Sequence, residues 1–92
     1  MTNNRKIRIN NREKYDQSFR ESFALPDNSL NEDLQYNSIS EWDSIGHMDL
    51  MANLEEAFQT TLEMDDIIDF SSYKKGVEIL EKYGVVMLLG AQ

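Results

Sequence analysis

The sequence predicts an all-α fold: a small bundle of three longer helices and one short helix, with a long loop between the first two. Apolar residues recur at intervals of three and four in several segments. Asn, Asp and Ser, the preferred helix-capping residues, stand before these segments. No segment has the strict alternation of a half-buried strand. The 92 residues suffice for one hydrophobic core but not for two.

The first helix is predicted to run to about Ala24, with Asn10 and Asn11 as candidate caps. Pro26 favours an end there, because the residue before a proline disfavours the helical conformation. Three aromatic residues spaced by four share one face of this helix, which we expect to be buried: Tyr15, Phe19 and Phe23.

A long polar segment, from Pro26 to Asp43, separates the first helix from the second. A loop of this length in a small domain is usually functional or contains a short helix. Five apolar residues interrupt it, so we expect it to be held against the core: Leu30, Leu34, Tyr36, Ile39 and Trp42.

The second helix is the clearest prediction, from Ile45 to Phe58, with Asp43 or Ser44 as its cap. Gly46 is its only glycine. One set of apolar residues forms an inward stripe: Leu50, Met51, Leu54, Ala57 and Phe58. A second, outward flank also carries acidic neighbours, and its apolar members are Ile45, Met48 and Ala52.

Two further helices follow, a short one from Met64 to Asp69 and a last one from about Tyr73 to Tyr83. Ser71 or Ser72 caps the last helix, and Gly84 is its predicted stop. Two of its residues are expected to point inward: Val77 and Leu80.

The charge is unevenly distributed along the chain, whose net charge is -8. Most of the basic residues precede Tyr15, and nine carboxylates but no lysine or arginine lie between Glu41 and Phe70. We therefore expect a flexible basic leader over residues 1–11, a folded domain over 12–84 and an apolar tail over 85–92 that docks in part on the bundle. The leader has a second possible role as an interaction site.

Several classes of function are disfavoured by composition. An acidic body repels nucleic acid and attracts basic partner proteins. No cysteine is present, which excludes disulfides and thiolate metal sites and fits a reducing, cytoplasmic location. The longest apolar run, residues 85–89, is far shorter than a membrane span, and the N-terminal residues lack the apolar stretch of a secretion signal. A monomer is the simplest expectation.

The stretch from Glu41 to Phe58 reads Glu-Trp-Asp-Ser-Ile-Gly-His-Met-Asp-Leu-Met-Ala-Asn-Leu-Glu-Glu-Ala-Phe. It resembles the attachment helix of acyl carrier proteins, in which an Asp-Ser-Leu-type tripeptide leads into a helix ending in Leu-Glu-Glu-x-Phe. The resemblance extends from Leu34 to Lys82 through the order of the later helices. It departs from the family at Trp42, near which a glycine is common, and in the third helix, which lacks an initial proline. These departures suggest a specialised carrier.

The resemblance implies that Ser44 carries a covalent 4'-phosphopantetheine arm, attached by a phosphopantetheinyl transferase with the help of Asp43. The protein would then be a non-catalytic, free-standing carrier of acyl or aminoacyl thioesters. An adenylating ligase or acyltransferase would load it, and downstream biosynthetic enzymes would use its cargo. Partner docking would involve the apolar flank and nearby carboxylates: Ile45, Met48, Asp49, Ala52, Glu55 and Glu56.

Three alternatives stand beside the carrier. The chain would be an unmodified acidic adaptor if Ser44 is only a helix cap. Ser44 and His47 lie three residues apart, a spacing at which a serine hydrolase pair is conceivable, although an exposed helix offers no oxyanion site. Four acidic residues suggest at most weak cation binding, because Ile67 and Ile68 interrupt them and no EF-hand spacing is present: Glu63, Asp65, Asp66 and Asp69.

Overall fold

Four α-helices organise the part of the chain that this computed structural model describes, residues 10–26 and 29–87. They are α1 (Asn11–Phe23), α2 (Ser44–Phe58), α3 (Met64–Asp69) and α4 (Tyr73–Lys82). Within these described ranges there is no strand, and one isolated antiparallel bridge joins the loop before α2 to the residue before α4. The predicted all-α class is confirmed, and each helix lies within about a residue of its predicted bounds.

Side-chain caps define where the three longer helices begin. The Asn10 side chain accepts a hydrogen bond from the Glu13 backbone N–H at 2.8 Å, and Ser72 accepts one from Lys75 at 2.9 Å. Asp43 caps α2 in the same way. At its other end α1 stops at Ala24, which adopts the left-handed conformation with φ of 55°. The left-handed conformation of Ala24, rather than the proline two residues later, therefore ends α1.

Aromatic rings from α1 and the long loop form the centre of the core. Phe19 has its ring centroid 5.0 Å from that of Tyr15 and 5.5 Å from that of Trp42. Trp42 is fully buried and also lies 5.4 Å from Phe23. The predicted inward face of α1 is confirmed. The other buried apolar side chains surround this cluster: Leu34, Leu50, Met51, Leu54, Leu62, Phe70, Tyr73, Ile79, Leu80 and Met87.

The loop between α1 and α2 is fastened to the start of α4. The Tyr36 backbone N–H donates to the Ser71 carbonyl, and the Tyr73 N–H donates to the Leu34 carbonyl, both at 2.9 Å. Leu34 and Trp42 are buried, so the prediction of a loop held to the core is confirmed. Tyr36 is the exception, with 39% of its surface exposed.

The segment after α4 returns to the start of α1. Met87 is buried, and the Val86 carbonyl accepts a hydrogen bond from the Asn11 side chain at 3.1 Å. The folded part therefore includes residues 10–11 and 85–87, which the sequence analysis assigned to the leader and the tail. The rest of the predicted leader and tail, residues 1–9 and 88–92, lies outside the described residues.

A polar network joins α1 to α4. The Tyr15 hydroxyl donates to the Tyr73 carbonyl, and the Tyr73 hydroxyl donates to Asp16, both at 2.5 Å. Arg12 donates to the Tyr73 hydroxyl and lies over its ring, 5.3 Å from the centroid. Burial raises the pKa of both tyrosines, and the hydrogen bond to Asp16 raises that of Tyr73 further. Both phenols therefore stay protonated, as these donor roles require.

Replacing Leu54 with alanine is expected to cost about 2–5 kcal/mol of unfolding free energy, because Leu54 is fully buried between α2 and the core. Chemical denaturation measures this loss. Met48→Ala, on the exposed side of the same helix, is the matched control and should change stability by less than about 0.5 kcal/mol. A loss well under about 1 kcal/mol for Leu54→Ala would contradict the packing of α2.

Candidate functional site

Ser44 is the first residue of α2 and is exposed to solvent. The residue before it, Asp43, is the helix cap: its side chain accepts from the Gly46 N–H at 2.9 Å, and its carbonyl accepts from the His47 N–H at 2.8 Å. Among residues 10–26 and 29–87, no hydrogen bond engages the Ser44 hydroxyl. The capping role thus falls to Asp43, and the exposed Ser44 hydroxyl has no hydrogen-bond partner in this part of the chain.

The first turn of α2 suits an anion on that oxygen. The backbone N–H groups of Ser44 and Ile45 have no acceptor within the helix, as is normal for the first turn. Together with the aligned peptide dipoles, they favour negative charge at this end by roughly 0.3–1 kcal/mol when exposed. A phosphate ester on Ser44 would lie at this positive end.

Gly46 stands where the long loop passes close to α2. A Cβ atom at this position would lie 2.0 Å from the Glu41 carbonyl oxygen and 3.1 Å from the Phe23 ring. Neither neighbour yields easily, since one is backbone and the other is packed in the core. The glycine therefore permits the approach that sets the loop leading into Asp43 and Ser44.

Gly46→Ala is expected to destabilise the protein by about 1–3 kcal/mol through overpacking against Glu41. Chemical denaturation followed by helical circular dichroism measures the effect. The sign of the change is decisive, because alanine in an uncrowded helix position would instead stabilise by about 1 kcal/mol. A stabilised Gly46→Ala variant would contradict the close approach of the loop.

Trp42 and His47 join the loop to α2. The Trp42 indole N–H donates to His47 Nδ1 at 2.9 Å, and the two rings are nearly parallel at 16°. Trp42 thus packs the loop against the helix. The buried indole has a partner for its only polar atom.

His47 also reaches the third helix. Its Nε2 lies 2.8 Å from the Ile67 carbonyl oxygen. Since Nδ1 accepts a hydrogen bond from Trp42, Nε2 carries the proton and donates to Ile67. Both ring nitrogens are therefore occupied, and the ring is not hydrogen-bonded to Ser44. The sequence could not foresee this role, because Ile67 is 20 residues away.

An apolar groove of about 360 Å³ opens beside Ser44, between the loop, α2 and α3. Met64 and Ile68, from α3, have 65% and 69% of their surface exposed. This groove was not predicted from the sequence, in which the spacing of Met64 and Ile68 by four within a short helix was the available signal. Besides Ser44, the lining residues are Tyr36, His47, Met48, Met64, Ile67, Ile68, Phe70 and Ser71.

The predicted docking residues lie mostly on one exposed surface. Ile45 is 79% exposed and Met48 53%, and Ala52, Asp49 and Glu56 are also exposed. Glu55 has a different environment. It is half-buried, and its carboxylate accepts a hydrogen bond from the Leu62 backbone N–H at 2.8 Å. Its visible role is to tie the end of α2 to the following loop.

The acidic residues around α3 do not converge. Asp66 accepts hydrogen bonds at 2.6 Å from both Lys82 and the Tyr83 hydroxyl, and these bonds lower its pKa. In the described ranges, no three side chains of the metal-binding types come together. The carboxylate of Asp66 instead connects α3 to α4.

Neither the protein-family models, nor the curated proteins, nor the solved structures contain a match to this chain. Among the described residues, no helix has the length and apolar character needed to cross a membrane.

Proposed function

We propose that this protein is an acyl carrier protein, bearing acyl or aminoacyl intermediates as thioesters on a 4'-phosphopantetheine arm attached to Ser44. One observation carries the proposal: Ser44 presents an unengaged hydroxyl at the tip of α2, within the segment that resembles the family's attachment helix. The arrangement of three longer helices, one short helix and a long first loop is the one expected of an acyl-carrier-type bundle.

Ser44 supplies the attacking oxygen in the attachment reaction. The oxygen forms a bond to the phosphorus that bears pantetheine in coenzyme A, and the bond from that phosphorus to adenosine bisphosphate breaks. The serine proton passes to a base of the transferase, since His47, the nearest basic side chain along α2, has both ring nitrogens occupied. Asp43, beside Ser44, helps to orient the transferase and its metal ion. Once attached, the arm supplies the thiol that holds the cargo.

The surface around Ser44 favours a partner with an apolar centre and a basic rim. Ile45 and Met48 are the exposed apolar members, and Asp49 and Glu56 are the nearby carboxylates. Exposed charge pairs of this kind chiefly raise the association rate and make it sensitive to salt. Such contacts suit a carrier that must visit several enzymes in turn. The phosphopantetheinyl transferase and the enzyme that loads the cargo are the expected first partners.

The groove beside Ser44 bears on the cargo. Its walls include Met64, Ile67 and Ile68, and no lysine, arginine or carboxylate from the described ranges lines it. An apolar acyl chain folded back from the arm would bury surface there at roughly 25 cal/mol per Å². A charged aminoacyl group would remain in solvent, because the groove offers it no ion-pair partner.

Incubation with coenzyme A, magnesium and a broad-range phosphopantetheinyl transferase tests the proposal. Intact-mass measurement is expected to find one added phosphopantetheine per chain. A mass that stays unchanged, while a known carrier in the same reaction is fully loaded, would contradict the proposal and favour an unmodified acidic adaptor. Reaction with a serine-directed hydrolase probe would instead favour an enzyme.

A further inference from the structure

The chain has one histidine and one tryptophan, and they are hydrogen-bonded to each other. The His47 ring lies against Trp42 with 6.2 Å between ring centroids, and it accepts the indole N–H through Nδ1. Through Nε2 it reaches Ile67 in α3. One half-buried imidazole therefore connects the loop that leads into Ser44 with the helix on the other side of the groove.

The helix that His47 holds has few other attachments. α3 has six residues, none of them buried, and no side chain caps its start. On the side facing α4, Asp66 binds Lys82 and Tyr83, and the Tyr83 hydroxyl accepts from the Glu63 N–H. On the side facing Ser44, the hydrogen bond from His47 is its polar attachment. Without that bond, packing of the partly buried Ile67 against the core would hold this side of α3, while the side facing α4 would keep its hydrogen bonds.

The hydrogen bonds of His47 require a neutral ring. A protonated imidazole has an N–H on both nitrogens, so Nδ1 would direct a proton at the indole N–H of Trp42. The buried indole would then lose its acceptor and face a second donor. Leaving a buried donor unpaired is costly. Protonation of His47 and the observed Trp42 contact therefore exclude each other. A protonated ring escapes the conflict by turning away from the indole, and this rotation also moves Nε2 away from the Ile67 carbonyl oxygen.

Among the described residues, no hydrogen bond or ion pair joins His47 to a charged side chain. The rings against His47 are those of Tyr36 at 5.6 Å, Phe70 at 6.1 Å and Trp42. Of these three side chains, only that of Tyr36 is of a titratable type, a phenol. The carboxylates closest in sequence to His47 and Ile67 have other positions: Asp43 caps α2, Asp66 binds Lys82 and Tyr83, and the others are exposed, namely Glu41, Asp49, Asp65 and Asp69.

We propose that His47 is a pH-sensitive latch, whose neutral ring holds α3 against α2 beside Ser44 and whose protonation releases α3. The latched form has no proton on Nδ1, so falling pH disfavours it and rising pH restores it. The latch stands on this geometry alone. Its consequence for cargo, a wider and wetter groove at low pH, rests on the proposed carrier function.

The unmodified full-length protein tests the latch, so the result does not depend on whether Ser44 can be loaded. Nitrogen NMR of the single imidazole and fluorescence of the single indole are followed from about pH 8 to about pH 5.5, above the main range of carboxylate titration. We expect the neutral tautomer with Nε2 protonated at high pH, and one shared midpoint for both signals. After correction for intrinsic exchange, the hydrogen-exchange protection of the α3 amides should fall about tenfold as the pH passes below this midpoint. The protection of α1 and α4 should not change.

Two variants separate the latch from general acid sensitivity. His47→Gln keeps a neutral donor and acceptor, so its fluorescence and α3 protection should not change over this range. Trp42→Phe removes the indole N–H that opposes a protonated ring, so a protonated His47 can keep its place and donate to Ile67. The α3 amides of this variant should therefore stay protected at both high and low pH. Three results would overturn the proposal. They are a His47 tautomer protonated at Nδ1 at high pH, an imidazole signal that does not change over the pH range, and α3 protection that stays constant while the imidazole signal changes.

Discussion

Alanine in place of Ser44 is expected to abolish attachment of a phosphopantetheine arm while leaving the fold intact. The loss should be complete, because the hydroxyl oxygen itself forms the bond to phosphorus. Stability should change by less than about 0.5 kcal/mol, since Ser44 is exposed and the cap of α2 is Asp43. Intact-mass measurement after transferase treatment gives the first result, and chemical denaturation gives the second.

Ser71→Ala is the matched control for that experiment. Ser71 is exposed and lines the same groove, and its contact with Tyr36 uses the backbone carbonyl, which alanine retains. This variant should be loaded as fully as the wild type. Loading of Ser44→Ala would place the attachment elsewhere in the chain. A loss of loading in both variants would mean that the assay reports a disturbed groove rather than one hydroxyl.

Trp42→Ala is expected to cause the largest loss of stability, about 3–5 kcal/mol of unfolding free energy. The indole is fully buried where the loop meets α1 and α2, against Phe19, Phe23 and Phe70. Its removal leaves a cavity and deprives His47 of a hydrogen-bond donor. Denaturation followed by helical circular dichroism measures the loss, because the variant has no tryptophan to report by fluorescence.

Trp42→Phe divides that loss into its two parts. Phenylalanine keeps an aromatic ring in the cluster but cannot donate to His47, so we expect an intermediate loss of about 1–3 kcal/mol. If Trp42→Ala cost less than about 1 kcal/mol, the loop would not be anchored as described. Equal losses in the two variants would mean that the hydrogen bond, rather than ring burial, dominates.

The helix bounds could be predicted because their causes are local. Asn10, Asp43 and Ser72 each accept a hydrogen bond from a backbone N–H three residues ahead, a pattern that capping preferences encode in the sequence. The aromatic face of α1 followed from spacing alone. Ser44 and Asp43 were identified by resemblance to a known segment, and their roles in attachment stay predictions; their place at the start of α2 follows from the capping pattern.

The inner face of α4 was predicted only in part, because close packing between distant segments is not visible in local spacing. Leu80 is buried as expected, whereas Val77 is only partly buried and Ile79 is buried instead. Gly76 is the clearest omission. A Cβ atom there would lie 2.1 Å from the Phe70 ring and 2.2 Å from the Tyr15 hydroxyl, so only glycine fits.

The hydrogen bonds that His47 and Glu55 make to other segments also could not be predicted from the sequence. Each depends on a backbone group in another segment, the Ile67 carbonyl for the histidine and the Leu62 N–H for the glutamate. A glutamate on a predicted helix surface is usually solvated, so its residue type alone does not predict a tie to a loop. The groove beside Ser44 was missed for the same reason, since it exists only where α3 packs beside α2.

The central claim is tested most directly by tandem mass spectrometry of the protein after its isolation from the cells that produce it. The peptide containing Ser44 should carry one phosphopantetheine, free or thioesterified, and the mass of any thioester would identify the cargo. Finding that peptide entirely unmodified in growing cells, or finding the arm on a different residue, would contradict the assignment of Ser44 as the attachment site.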